Sequence, residues 1–158
     1  MASALDIYVG THFVGSTGGT QLIRRIAASH HGSTDVLDRL VREIDYDRRK
    51  LSDIMKKLDI TPSRTAVLGA WLGGQVAGLQ LTDRVFGRTP LTALTELEAM
   101  LLGVEGKAAL WRALRLLAKE DDRLDSAELD YLLSLAEGQI AALEAMRSEV
   151  AVAVLREG

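Results

Sequence analysis

Apolar residues recur along this chain at intervals of three and four. They stand at Leu37, Leu40, Val41, Ile44, Leu51, Ile54, Met55 and Leu58, and again at Leu129, Leu133, Ala136, Ile140, Leu143, Val150 and Val154. That spacing lines one face of an α-helix, and no period-two alternation survives to suggest strands. A further stripe near the start takes in Val9, His12, Ser16, Gly19, Ile23, Ile26 and His30.

Capping residues predict where the helices begin. Ser3 with Asp6 and Asp125 with Glu128 read as capping boxes, and Ser33-Thr34 precedes "DVLDRL". Thr61-Pro62 and Thr89-Pro90 each put a hydroxyl before a proline suited to the first helical position. Gly32 and Gly87 supply stops. Five helical segments result. Four run about 25 to 30 residues, or roughly 40 Å at 1.5 Å per residue. The shorter one, about Pro62 to Val85, lies between two pairs with short links, and short links make antiparallel hairpins. The expected fold is therefore all-α: a four-helix bundle of two hairpins joined by a crossover helix. A fifth up-and-down bundle member at 62–85 is the alternative.

The stretch "HFVGSTGGTQLIRR", residues 12–25, raises a different possibility, a loop that cradles phosphate. Such a loop needs a preceding strand and a Gly-Lys-Ser/Thr ending, yet Gly15 to Thr20 holds no lysine and follows a helix cap. In "GVEGKAAL", Leu101 stands where the first glycine belongs and Ala108 where the hydroxyl belongs. Residues 12–25 are expected to be continuous helix. Each interior glycine costs up to about 1 kcal/mol against alanine. The cluster Gly15, Gly18 and Gly19, with Gly69, Gly73, Gly74 and Gly78, is read as a surface for close helix packing, with ligand approach the alternative.

Length and composition narrow the class. The 158 residues suit one domain, 1–158, with 47% hydrophobic and 26% charged residues, as in globular proteins. A net charge of −3 offers no field for nucleic acid or an acidic membrane. The chain has no cysteine, which excludes thiol chemistry and fits a cytoplasmic location. Thr65 to Thr82 carries no formal charge, but its four glycines and two glutamines argue against a membrane span.

Polar residues on the apolar faces are the candidates for chemistry. Asp47 lies three after Ile44 and four before Leu51, with Glu43 beside it; Glu98 and Glu105 are one heptad apart, as are Glu137 and Glu144. His12, Glu43, Asp47, Glu98 and Glu105 form the candidate metal set, for iron, manganese or zinc. If they converge, an arginine such as Arg48, Arg112 or Arg115 is expected to neutralise them in place of a metal. Di-iron bundles use Glu-x-x-His, and the residues three before the histidines are Val9, Ala27 and Ala28. His30-His31 reads as a helix-end cap. "KEDDRLDSAELD" lacks the central glycine of a calcium loop and has Leu132 where the closing Glu belongs. No Ser-His-Asp arrangement is recognisable.

On "LDIYVGTHFVGSTGGTQLIRRIA", "LVREIDYDRRKLSDIMKKLDI" and "LTELEAMLLGVEGKAALWRAL", the chain resembles the ferritin-like superfamily in its broad sense, over nearly its whole length. The resemblance implies a two-hairpin bundle and a link to iron handling or stress responses. It places bundle carboxylates at Glu43, Glu98, Glu105 and Glu137.

Two functions are expected from these readings. The first is a non-catalytic bundle that binds a protein partner, a copy of itself or a small apolar ligand, with no cofactor. The second is a metal-binding ferritin-like protein. A homo-oligomer is expected because Trp71, Leu72, Val76 and Leu79 spread apolar surface around the 62–85 segment.

Overall fold

The computed structural model describes residues 2–29, 34–61 and 87–156. Four helices carry nearly all of them: α1 (Ala4–Ser29), α2 (Thr34–Lys57), α3 (Pro90–Leu117) and α4 (Ser126–Arg156). No strand occurs among the described residues. The 62–85 segment, with its four glycines, lies outside them, as do His30-His31 and the apolar residues behind the oligomer expectation.

The caps form as their sequences require. Ser3 Oγ accepts from the Asp6 amide at 3.1 Å while Asp6 Oδ2 accepts from the Ser3 amide at 2.7 Å, closing the first box. Thr89 caps α3, its hydroxyl accepting from the Thr92 amide and its own amide donating to Thr92 Oγ1 at 3.1 Å. Pro90 follows in the first turn, where a missing N–H costs nothing. Asp125 Oδ1 accepts from the Ala127 amide at 2.8 Å. Glu128, its expected box partner, turns instead to Lys50 and Lys57 on α2, at 2.7 and 3.2 Å. Gly87 adopts φ 74°, open to glycine at no steric cost. The end of α2 was not foreseen. Asp59 takes φ 58°, the Ile60 amide reaches back to the Met55 carbonyl at 2.9 Å, and Ile60 is buried. An aspartate supplies the left-handed residue that glycine usually provides there.

Contacts across the bundle fix the helix directions. Arg24 pairs with Asp45 and Arg48 with Thr17, so α1 and α2 are antiparallel. Glu98–Arg147, Lys107–Gln139 and Arg115–Asp130 make α3 and α4 antiparallel. Arg25 reaches Glu96 near one end of α1, and the cavity described below joins Thr11 and His12 to Lys107 and Trp111 further along, so α3 runs against α1. Lys57–Glu128 and Asp47–Gln139 set α4 against α2. α1 packs on α2 and α3, and α4 on α3 and α2. Consequently α2 and α3 run the same way, and α2 ends at the opposite end of the bundle from where α3 begins.

The core lies along the shared axis. Leu37, Leu40, Ile44, Leu51, Ile54 and Met55 of α2 are buried, as the spacing predicts. They meet Ile23 and Ile26 of α1, Leu97, Val104, Trp111 and Leu114 of α3, and Leu129, Leu132, Ala136 and Leu143 of α4 in one cluster. At about 25 cal/mol per Å² of apolar surface removed from water, this burial is the main force holding the helices together.

Candidate functional site

One polar group sits inside that core. Asp47 occupies a stripe position on α2 and is 1% exposed. Its Oδ2 accepts from Lys107 Nζ of α3 and, at 3.0 Å, from Gln139 Nε2 of α4. Lys107 Nζ also donates to Gln139 Oε1 at 2.6 Å, which closes a three-membered ring of contacts across three helices. Burial pushes the Lys107 ammonium below its ordinary pKa, and the charge and hydrogen bond of Asp47 oppose that shift. The partner of Asp47 is thus a lysine, not the arginine expected for it. Lys107 lies three after Val104 and four before Trp111; Gln139 lies three after Ala136 and four before Leu143. Gln139 was therefore legible beside the α4 stripe, whereas α3 offered no such guide to Lys107.

The other expected site residues are dispersed. His12 is half-buried on α1, its ring edge-on to Tyr8 with centroids 4.8 Å apart. Burial lowers its pKa below 6.5. Glu43 is half-buried near Arg39, at 3.8 Å, and contributes to the field at Lys107. Glu98 is exposed, 3.8 Å from Arg147, and Glu105 is exposed. The two glutamates therefore do not join His12 and Asp47. Leucine and alanine occupy almost every side of α3, so its spacing could not say which side faces inward; the buried line runs through Leu97, Met100, Val104, Lys107 and Trp111. Glu137 is exposed and Glu144 pairs with Arg147 at 2.6 Å. Among the described residues no group of three or more His, Cys, Asp or Glu gathers as a metal site.

A buried glutamate occurs where none was expected. Glu96, in the first turns of α3, is fully buried and receives Arg25 from α1 and Arg88 from the residues before the helix, the latter through Nη2 to Oε2 at 2.6 Å and Nη1 to Oε1 at 3.2 Å. A carboxylate facing two guanidiniums is the arginine version of the interior charge, moved to the end of the bundle.

Beside Asp47 the helices enclose a cavity of about 350 Å³ between α1, α2 and α3. Its wall is mostly apolar, with Leu22, Ile44, Leu51, Met100, Val104 and Leu110, and Leu102 (65% exposed) marks where it meets the surface. Glycines make the room. Gly15, Gly18 and Gly19 line the α1 side and Gly103 and Gly106 the α3 side. A Cβ at Gly103 or Gly106 would meet nothing within 4 Å, and one at Gly19 would meet Met100 Cε at an ordinary 3.8 Å. Close backbone packing, the expected use of the α1 glycines, is thus not what Gly19 serves. Residues 12–25 are continuous helix, as expected, and no phosphate loop forms there.

Four of the residues that line the cavity each hold a buried polar atom without a partner. Thr11 Oγ1, Asp47 Oδ1, Arg48 Nε and Trp111 Nε1 are buried with no hydrogen-bond partner among the described residues, and all four residues line this cavity. Leaving such a group unmatched costs about 1 to 3 kcal/mol. Four around one space is a concentration that calls for an explanation.

Comparison with family models, curated proteins and solved structures returns no match. None of the described helices is long and apolar enough to cross a membrane.

Proposed function

We propose that this chain is a ferritin-like helical bundle that acts by binding a small, mainly apolar molecule in the cavity between α1, α2 and α3. The observation that carries the reading is the coincidence of an apolar, glycine-lined space with four buried, unpartnered polar atoms. Small-molecule sites have this character: apolar walls with a few fixed polar groups, in volumes of about 300–1,000 Å³. At about 30 Å³ per water-sized group, the cavity's 350 Å³ suits roughly a dozen non-hydrogen atoms.

The ferritin-like part of the proposal rests on helix direction. α2 and α3 run the same way, so the end of α2 and the start of α3 stand at opposite ends of the bundle. A two-hairpin bundle with one long crossover connects its helices in that order.

Calorimetric titration with octan-1-ol tests the binding reading. The wild-type chain is expected to take up one equivalent. Gly103→Leu and Gly106→Leu, which put side chains into the open space, are expected to lose that uptake while keeping a helical circular dichroism spectrum. A wild-type chain that takes up neither octan-1-ol nor its carboxylate and amide counterparts, octanoate and octanamide, overturns the reading.

A further inference from the structure

The charges around the cavity do not cancel. Asp47 and Lys107 answer one another directly. Burial favours the neutral form of the His12 imidazole. Arg48 remains. Its Nη2 donates to the Thr17 hydroxyl at 3.2 Å, and its guanidinium lies over the Phe13 ring, 4.7 Å from the centroid. No carboxylate pairs with it among the described residues, and its Nε–H is buried without an acceptor. A guanidinium cannot shed its proton to escape this situation.

The unpartnered atoms point the same way. Arg48 Nε and Trp111 Nε1 are donors only, Trp111 is fully buried, and the Thr11 hydroxyl can donate as well. Asp47 Oδ1 is the one pure acceptor, and Asp47 faces α3 and α4 through Lys107 and Gln139. Arg48 faces α1 through Thr17 and Phe13. The Asp47 charge is thus answered through Oδ2 by α3 and α4, whereas Arg48 reaches α1 without meeting a carboxylate among the described residues.

We infer that the molecule this cavity accepts is an apolar monoanion, a small carboxylic acid in its ionised form, with its carboxylate held by Arg48 on the α1 side. The inference rests on the binding reading above and names its ligand class. An inorganic anion would leave the apolar wall unfilled, and a neutral apolar molecule would leave Arg48 unanswered. A carboxylate on a hydrocarbon body meets both requirements, because the guanidinium fork matches carboxylate geometry.

Octanoate and octanamide share a tail and a planar head and differ in charge. Calorimetry on the wild-type chain is expected to show octanoate bound roughly tenfold more tightly, the scale of one charge-assisted hydrogen bond. Arg48→Gln should remove that preference, and Arg48→Lys should keep most of it. Equal binding of the two probes by the wild type overturns the inference while leaving the cavity reading in place. Failure of octanoate, octanamide and octan-1-ol alike overturns both. Should Arg48→Gln not fold, the wild-type comparison of the two probes decides alone.

Discussion

Gln139 and Asp47 meet across the bundle axis, the amide Nε2 donating to Oδ2 at 3.0 Å. Lys107 fixes which way that amide faces, since its Nζ can only donate and so claims the Oε1 end. A glutamine that is fully buried on α4 thereby becomes part of the support for a charge pair formed by α2 and α3.

Removing one member of the pair should therefore be costly. Asp47→Leu leaves the Lys107 ammonium in the core without its carboxylate, and a loss of about 3–5 kcal/mol in unfolding free energy is expected. The double change Asp47→Leu with Lys107→Met removes both charges and should cost clearly less than the two single changes added together. Denaturant unfolding of the four proteins checks this. Additive losses would mean that the pair is not coupled.

The glycines of α3 predict an effect of opposite sign. Gly103 and Gly106 sit inside a regular helix with room for a Cβ. Alanine at either position should stabilise the fold by about 0.5–1 kcal/mol, because the unfolded chain loses freedom and no contact is strained. That corresponds to a rise of roughly 2–4 °C in Tm per kcal/mol for a chain of this size. Destabilisation would show that the backbone is closely approached at these positions.

How much of this was readable beforehand differs by element. α2 alternates charged and apolar residues cleanly, so its spacing identified both the core face and Asp47 as the charge upon it. The caps at Ser3 and Thr89 were equally plain, because capping is local chemistry. The site was less legible. Its members come from α1, α2, α3 and α4, and on α3 a near-continuous apolar surface hides the inward face. Glu98 and Glu105 share a heptad spacing, whereas the buried Glu96 is met by Arg88 just before its helix and by Arg25 from α1. Partners 71 residues apart leave no local signal. The cavity was hidden for a similar reason: a glycine between two helices can mark contact or space, and only the neighbouring helix decides.

Glu96 and Glu105 make a paired test of that correction. Glu96→Gln removes the charge that two guanidiniums share and should cost about 2–3 kcal/mol, the upper range for hydrogen bonds to charged groups. Arg25 and Arg88 are 25% and 35% exposed in their side chains, so water offsets part of the loss. Glu105→Gln alters an exposed side chain and should stay within about 0.5 kcal/mol. Equal losses from both would contradict the inward and outward placement of these two residues. Thermal unfolding followed by circular dichroism is sufficient to separate them.

Acid should weaken the fold in two stages, the upper involving His12 and the lower including Glu128. Burial holds the folded-state pKa of His12 below its ordinary 6.5, so on acidification the unfolded chain takes up that proton first. Stability contributed by the neutral ring is fully present above pH 6.5 and declines as pH falls below it. Glu128 acts lower on the scale. Its hydrogen bond from Lys50, aided by Lys57, depresses its pKa below 4.5, so its contribution is present above 4.5 and is lost as pH falls through the depressed value. The raised pKa of Lys50 reports the same contact from the other side and is not a second contribution. Urea midpoints measured from about pH 7.5 to about pH 5.5, where histidine titrates, should fall for the wild type and fall less for His12→Gln. Below that range, Glu128→Gln should flatten the remaining decline. An unchanged slope in His12→Gln would mean that the imidazole is as well solvated in the bundle as in the unfolded chain.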